Sequence, residues 1–137
     1  MACYDGGCLC GKVRFRVAAA AIDTGYCHCR MCQRNTGAPA VAWTTFPDAS
    51  SWTAGSPATY VSSPNVQRQF CAECGSSMVF RDEDSTEVSV NTASLDDPAS
   101  FPPRMHIFTE SRIPWFRTQD DLPHHVGYGP FRSAGND

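Results

Sequence analysis

Seven of the eight cysteines fall into three tight groups whose spacing is that of metal ligands. They run Cys8-Leu-Cys10, Cys27-His-Cys29-Arg-Met-Cys32 and Cys71-Ala-Glu-Cys74, with Cys3 standing apart near the N-terminus. In a reducing compartment, clustered thiols are read as metal ligands or redox centres before they are read as disulfides. The chemistry to expect is therefore that of a thiolate-bound ion.

Phe70-Cys-Ala-Glu-Cys-Gly-Ser76 reads as a zinc knuckle. Two thiolates three positions apart on a tight turn both reach one ion at about 2.3 Å. Gly75 follows the second cysteine, where such a turn often needs positive φ. The competing readings are a pair of buried free thiols and a thioredoxin-type redox pair; the latter needs a helix within a βαβ pattern, which is not evident. A structural zinc wants four ligands. Cys8 and Cys10 are the expected second pair, since residues i and i+2 of an extended segment share a face and lie roughly 6.6 Å apart. Turns at Gly6-Gly7 and at Gly11 would bring the sulfurs closer.

Cys27, Cys29 and Cys32 supply three more thiolates within six residues. Three protein ligands leave a fourth tetrahedral position for water or substrate, which is the pattern of a catalytic zinc. The alternative is a closed structural site in which Cys3 or a histidine is the fourth ligand. His28 sits between two ligands, and alternation aims it away from the ion, toward a hydrogen bond that stiffens the loop.

The elements that would position these thiols read as mainly β. In Lys12–Ala18, Val13, Phe15 and Val17 alternate with Arg14 and Arg16, the pattern of a half-buried strand. Further short strands are expected at 41–46, 59–62, 66–70, 78–81, 87–91 and 105–108. Gly55-Ser56-Pro57, Ser63-Pro64-Asn65, Asp82-Glu83-Asp84 and Pro102-Pro103 punctuate them. Such a series predicts small antiparallel sheets. One short helix is expected at Arg30–Asn35, closed by Gly37. No linker divides the 137 residues, so a single domain over 1–137 is expected, with 127–137 as a loose tail from which Tyr128 and Phe131 could dock back.

Composition narrows the function classes. The chain carries 11 basic and 14 acidic side chains, net charge −3, with the basic ones scattered singly. Nucleic-acid binders carry a basic patch, so no nucleic-acid partner is expected. No stretch approaches the roughly 20 apolar residues of a membrane span. The N-terminus lacks a basic segment followed by an apolar block, so a cytoplasmic location is expected.

Read together, these segments resemble the family of glutathione-dependent formaldehyde-activating enzymes, which includes centromere protein V. The resemblance lies in Gly6-Gly-Cys-Leu-Cys-Gly-Lys-Val-Arg-Phe15, Cys27-His-Cys-Arg-Met-Cys-Gln-Arg-Asn-Thr-Gly-Ala38 and Phe70-Cys-Ala-Glu-Cys-Gly-Ser76. Ser94-Leu-Asp-Asp-Pro98, His106-Ile-Phe108, Pro114-Trp-Phe116 and Asp121-Leu-Pro123 add to it. The resemblance implies a β-tent fold. It implies a structural zinc on Cys8, Cys10, Cys71 and Cys74 and a catalytic zinc on Cys27, Cys29 and Cys32, two ions per chain. It implies a carbon–sulfur lyase that joins formaldehyde to glutathione, giving S-(hydroxymethyl)glutathione. The alternative is a zinc-stapled binding module without catalysis.

A zinc with three thiolates is a weak activator of water and suits a soft partner such as a thiol. Glutathione is anionic and needs donors. Arg30, Arg34, Arg68 and Arg104 are the candidates, and Arg30 and Arg34 are favoured for their place beside the middle cluster. His106 is a candidate for proton transfer. His124 and His125 are expected to be exposed. Trp43, Trp52 and Trp115 are read as core or rim packing, with Trp115 and Phe116 able to wall a pocket.

Overall fold

The alternation of Val13, Phe15 and Val17 decides the first sheet. All three side chains are buried, while Arg16 is exposed. In the computed structural model of the chain, which describes residues 2–129, this stretch forms strand β2 (Arg14–Val17). β2 pairs antiparallel with β1 (Tyr4–Gly7) on one side and β5 (Ser50–Ala54) on the other. Gly6-Gly7 therefore lies in a strand and does not make the expected turn. The reason is close approach: a Cβ at Gly6 would stand 2.5 Å from Phe15 Cζ and 2.6 Å from the Ser94 carbonyl oxygen.

The chain divides into two compact units, one of Met1–Asp23 with Thr44–Phe101 and the other of Thr24–Trp43 with Pro102–Asp137. Beside the three-stranded sheet, the first unit holds β6 (Ala58–Ser63), β7 (Val66–Phe70), β8 (Ser77–Asp82) and β9 (Glu87–Asn91). These run as an antiparallel meander. The later half of β4 (Val41–Pro47) also belongs to this unit, and Thr45 Oγ1 meets Ser89 Oγ of β9 at 2.8 Å. Phe15, Val17, Phe46, Met78, Val88 and Val90 make its core. Each such side chain is worth roughly 1.5–3 kcal/mol when removed from water.

The second unit holds β3 (Asp23–Cys27), the earlier half of β4, the helix α1 (Arg30–Thr36) and β10 (His106–Ile107). β10 runs parallel to β3, with His106 opposite Tyr26 and Ile107 opposite Cys27. This pairing departs from the expected antiparallel pattern. The peptide N–H of His106 donates to the Pro123 carbonyl at 2.8 Å, and that of His125 donates back to the His106 carbonyl at 2.8 Å. Segment 123–125 thus lies along the outer side of β10. Cys27, Trp43, Met105 and Ile107 form the core here, and Tyr128 docks on Phe108 at 4.7 Å between ring centroids. Phe131, read from the sequence as able to dock, lies outside the described residues. Helix α1 ends on Gly37, whose φ of 76° is the left-handed C-cap the sequence predicts.

Candidate metal centres

In the first unit the four cysteines read as one set from the sequence come together. Their sulfurs all lie within 4.8 Å of one another. Cys8 Sγ is 3.5 Å from Cys10 Sγ, and Cys10 Sγ is 3.8 Å from Cys71 Sγ. Sulfurs at the corners of a tetrahedron around an ion about 2.3 Å away stand about 3.8 Å apart. A disulfide needs about 2.05 Å, and all these cysteines are free. The donor set therefore fits a closed tetrahedral ion. Cys8-Leu-Cys10 is a turn, not the extended segment expected, and that turn is what brings its two sulfurs so near.

Local backbone donors prepare the set. The Val13 peptide N–H donates to Cys8 Sγ at 3.3 Å and that of Cys74 to Cys71 Sγ at 3.5 Å. Gly75, at φ 80°, carries the knuckle turn and donates its N–H to the Cys71 carbonyl at 2.8 Å. Ser76 ties the two loops together. Its hydroxyl accepts from the Leu9 N–H at 2.8 Å and stands 3.2 Å from Cys74 Sγ. Sequence reasoning gave Ser76 no role of its own, although it closes the knuckle motif. Hydrogen bonds from the Ser76 side chain and backbone hold Cys74 down at about 5. Cys10 goes the other way: the Lys12 peptide favours its thiolate, but local desolvation and the thiols of Cys8, Cys74 and Cys71 push it up to about 12. Packed thiols resist full ionisation together, and a divalent cation removes that resistance.

In the second unit Cys27, Cys29 and Cys32 also converge, their sulfurs all within 4.8 Å. Cys27 is at the end of β3 and is buried; Cys29 and Cys32 are half-buried. Cys29 is the N-cap of α1 and its Sγ accepts the Cys32 peptide N–H at 3.3 Å. Hydrogen bonding to Cys29 and Cys32, then burial, push the Cys27 thiol far above the ordinary thiol range. Three neutral thiols are stable so, and three thiolates need a cation among them. Among the described residues no fourth Cys, His, Asp or Glu joins this group, and Cys3 is exposed and belongs to neither cluster.

His28, between Cys27 and Cys29, is fully buried. Its Nε2 meets Nδ1 of the equally buried His106 at 2.8 Å. Burial, then the neighbouring His106, lower His28 to about 4, so it is neutral at neutral pH. His106 Nε2 lies 3.2 Å from both carboxylate oxygens of Asp120. Gln33, the next residue after Cys32, is a hub that sequence reasoning missed. Its amide Nε2 donates to the His28 carbonyl at 2.8 Å and the Pro39 carbonyl at 3.1 Å, and its Oε1 accepts from Arg30 at 2.6 Å.

The other candidates divide. Arg30 and Arg34 are exposed on α1. Arg68 is buried in the first unit, bonded to Ser62 and lying over the Phe80 ring at 5.2 Å, so it is a packing residue there. Arg104 is exposed and its peptide N–H holds the Thr24 carbonyl. His124 is exposed as expected, whereas His125 is half-buried. Trp43 is buried, Trp52 packs edge-on against Phe15, and Trp115 is 75% exposed.

A mainly β chain with one four-thiol and one three-thiol convergence defines a class, that of small proteins built around cysteine clusters able to hold metal ions. The chain belongs to the glutathione-dependent formaldehyde-activating enzyme family, whose model matches residues 3–111. It is similar to a provisionally named glutathione-dependent formaldehyde-activating enzyme of Halomonas elongata. The two are 27% identical over 122 aligned residues, covering 81% of this chain and 78% of that protein. It is also similar to an uncharacterized lyase of Schizosaccharomyces pombe, 27% identical over 77 residues and covering 56% of each. The crystal structure of a Rhodobacter sphaeroides protein shares the fold, with a TM-score of 0.56 and 24% identity, covering 67% of this chain and 87% of that one. Among the described residues, no helix is long and apolar enough to cross a membrane.

Proposed function

We propose that this chain is a zinc-dependent carbon–sulfur lyase that joins formaldehyde to glutathione, giving S-(hydroxymethyl)glutathione, and runs the same step in reverse. One observation carries the reading: three sulfurs converge with no fourth protein donor beside them among the described residues. Three protein ligands are the number that catalytic zinc sites use. Family membership supports the reaction class. Zinc bound there would act as a Lewis acid and favour the thiolate form of a neighbouring thiol.

The rest is the work of the chain. Cys27, Cys29 and Cys32 hold the ion, and the Cys32 peptide N–H directed at Cys29 Sγ favours its charged form. In the reaction a carbon–sulfur bond forms between the glutathione sulfur and the formaldehyde carbon. The thiol proton ends on the former carbonyl oxygen, and nothing is oxidised or reduced. Arg30 and Arg34 receive glutathione carboxylates, Arg30 with its guanidinium already oriented by Gln33. A second zinc on Cys8, Cys10, Cys71 and Cys74 staples the fold, and residues 1–137 work as one zinc-binding domain in the cytoplasm.

The test is the rate of adduct formation between glutathione and formaldehyde, followed by NMR with the zinc-replete full chain. The expected result is an increment over the spontaneous reaction that is proportional to protein concentration. A protein that carries both metal equivalents and adds nothing to the background is a zinc-stapled binding module, and the enzymatic reading is then wrong.

A further inference from the structure

The residue between two of the three clustered cysteines is tied down at every polar atom but one. The His28 peptide N–H donates to the Ile107 carbonyl at 3.1 Å, and its carbonyl accepts from Gln33. Its ring Nε2 meets His106 Nδ1 at 2.8 Å. On the far side His106 faces Asp120, with Thr118 Oγ1 3.3 Å from the same ring nitrogen. Asp120 is exposed and is fixed in turn by the Leu122 N–H at 3.1 Å. Tyr26 stacks on the His106 ring at 5.1 Å and 24°.

The chemistry of the partners fixes the direction of this chain. A carboxylate only accepts, so His106 Nε2 carries the proton and donates to Asp120. In a neutral His106 ring Nδ1 is then the acceptor, and His28 Nε2 is its donor. Each ring is left with one tautomer. His28 Nδ1 becomes a buried acceptor with no hydrogen-bond partner among the described residues. A buried nitrogen left in that state is costly, so the ring is not there for packing alone.

We propose that Asp120, His106 and His28 are positioning residues for the three-cysteine cluster: the relay holds the Cys27–Cys29 segment in the form that converges its thiols, and so sets how tightly that cluster retains metal. None of the three is among the clustered thiol donors. The proposal rests on the reading that Cys27, Cys29 and Cys32 hold a metal. His106, Asp120 and His124 could themselves be taken for a cation site, since one ligand atom from each lies within 4.8 Å of the others. Two contacts argue against it. The Arg112 guanidinium stands 3.3 Å from His124 Nδ1, and the His106 nitrogen is already engaged by Asp120.

The test uses the full chain loaded with zinc and follows transfer of zinc to a chromophoric chelator. The four-cysteine cluster serves as an internal control for global loosening. His106→Phe keeps a ring there and removes its hydrogen bonds; one zinc equivalent should transfer about 10–100-fold faster, the other at the wild-type rate. Asp120→Ala, at an exposed position that should not disturb folding, should act in the same direction. His106→Gln, which restores an acceptor for His28, should recover most of the retention. Unchanged transfer in His106→Phe and Asp120→Ala, or equal acceleration of both equivalents, overturns the relay. A wild-type chain that binds only the four-cysteine equivalent overturns the metal reading beneath it. A third equivalent lost in His124→Ala overturns the relay in favour of a cation site at its outer end.

Discussion

Cys10→Ser is expected to cost more than about 3 kcal/mol of folding stability in zinc-replete protein, far beyond what its surroundings would suggest. Cys10 is exposed. Substituting an exposed side chain by a near-isostere usually changes stability by no more than about 0.5 kcal/mol. A large loss therefore has one source, the ligand itself. Structural zinc sites in small peptides are worth about 10–16 kcal/mol at neutral pH, comparable with the whole stability of a domain. The cluster also joins residues 61 positions apart in sequence through the Cys10–Cys71 contact, so losing it frees a long loop. Cys3→Ser is the control, because Cys3 is exposed and outside both clusters. Chemical denaturation with and without a chelator reads the difference. Equal midpoints for Cys10→Ser and Cys3→Ser would falsify the structural role of the four-cysteine cluster.

Cys29→Ser is expected to have the opposite profile: catalysis lost, fold kept. Cys29 is the N-cap of α1, accepting the Cys32 N–H through its sulfur. Serine is among the best N-cap residues and makes the same bond through oxygen. Helix α1 should therefore survive, while the ion loses one of three sulfur ligands. The rate of adduct formation should fall by at least about 100-fold, to the spontaneous background, by analogy with the losses seen when metal sites are perturbed less directly. One zinc equivalent should be missing and the thermal midpoint nearly unchanged. NMR rate measurements beside metal analysis check both halves. A variant that keeps wild-type turnover defeats the proposed role of the cluster.

How far the sequence revealed this arrangement depended on the range of each contact. The knuckle Cys71-Ala-Glu-Cys74, the alternation behind β2 and the Gly37 end of α1 are local patterns, and each is legible from a few consecutive residues. The pairing of the Cys8 and Cys71 groups was legible from ligand arithmetic, since a closed zinc needs four donors. The parallel pairing of β10 with β3 left no such trace, because two residues are too few to show a period. Gly6 was misread as a turn residue because a glycine that admits a neighbouring ring looks, in sequence, like one that bends the chain. Arg68 looked like a candidate donor for a glutathione carboxylate, since only the fold brings Phe80 beneath it. The His28–His106–Asp120 chain was the least legible part of the site. His28 and His106 are 78 residues apart, and no spacing rule connects them.

On the proposed function, turnover belongs to metal held by Cys27, Cys29 and Cys32. Its most direct test is partial metal removal from the wild-type chain, with zinc content and adduct-formation rate followed in the same samples. A three-ligand site should release its ion to a mild chelator before a four-ligand site does. The rate should fall to background as the first equivalent leaves, and return when zinc is restored, with the second equivalent in place throughout. Undiminished acceleration after the first equivalent has gone would mean that the three-cysteine cluster does not carry turnover.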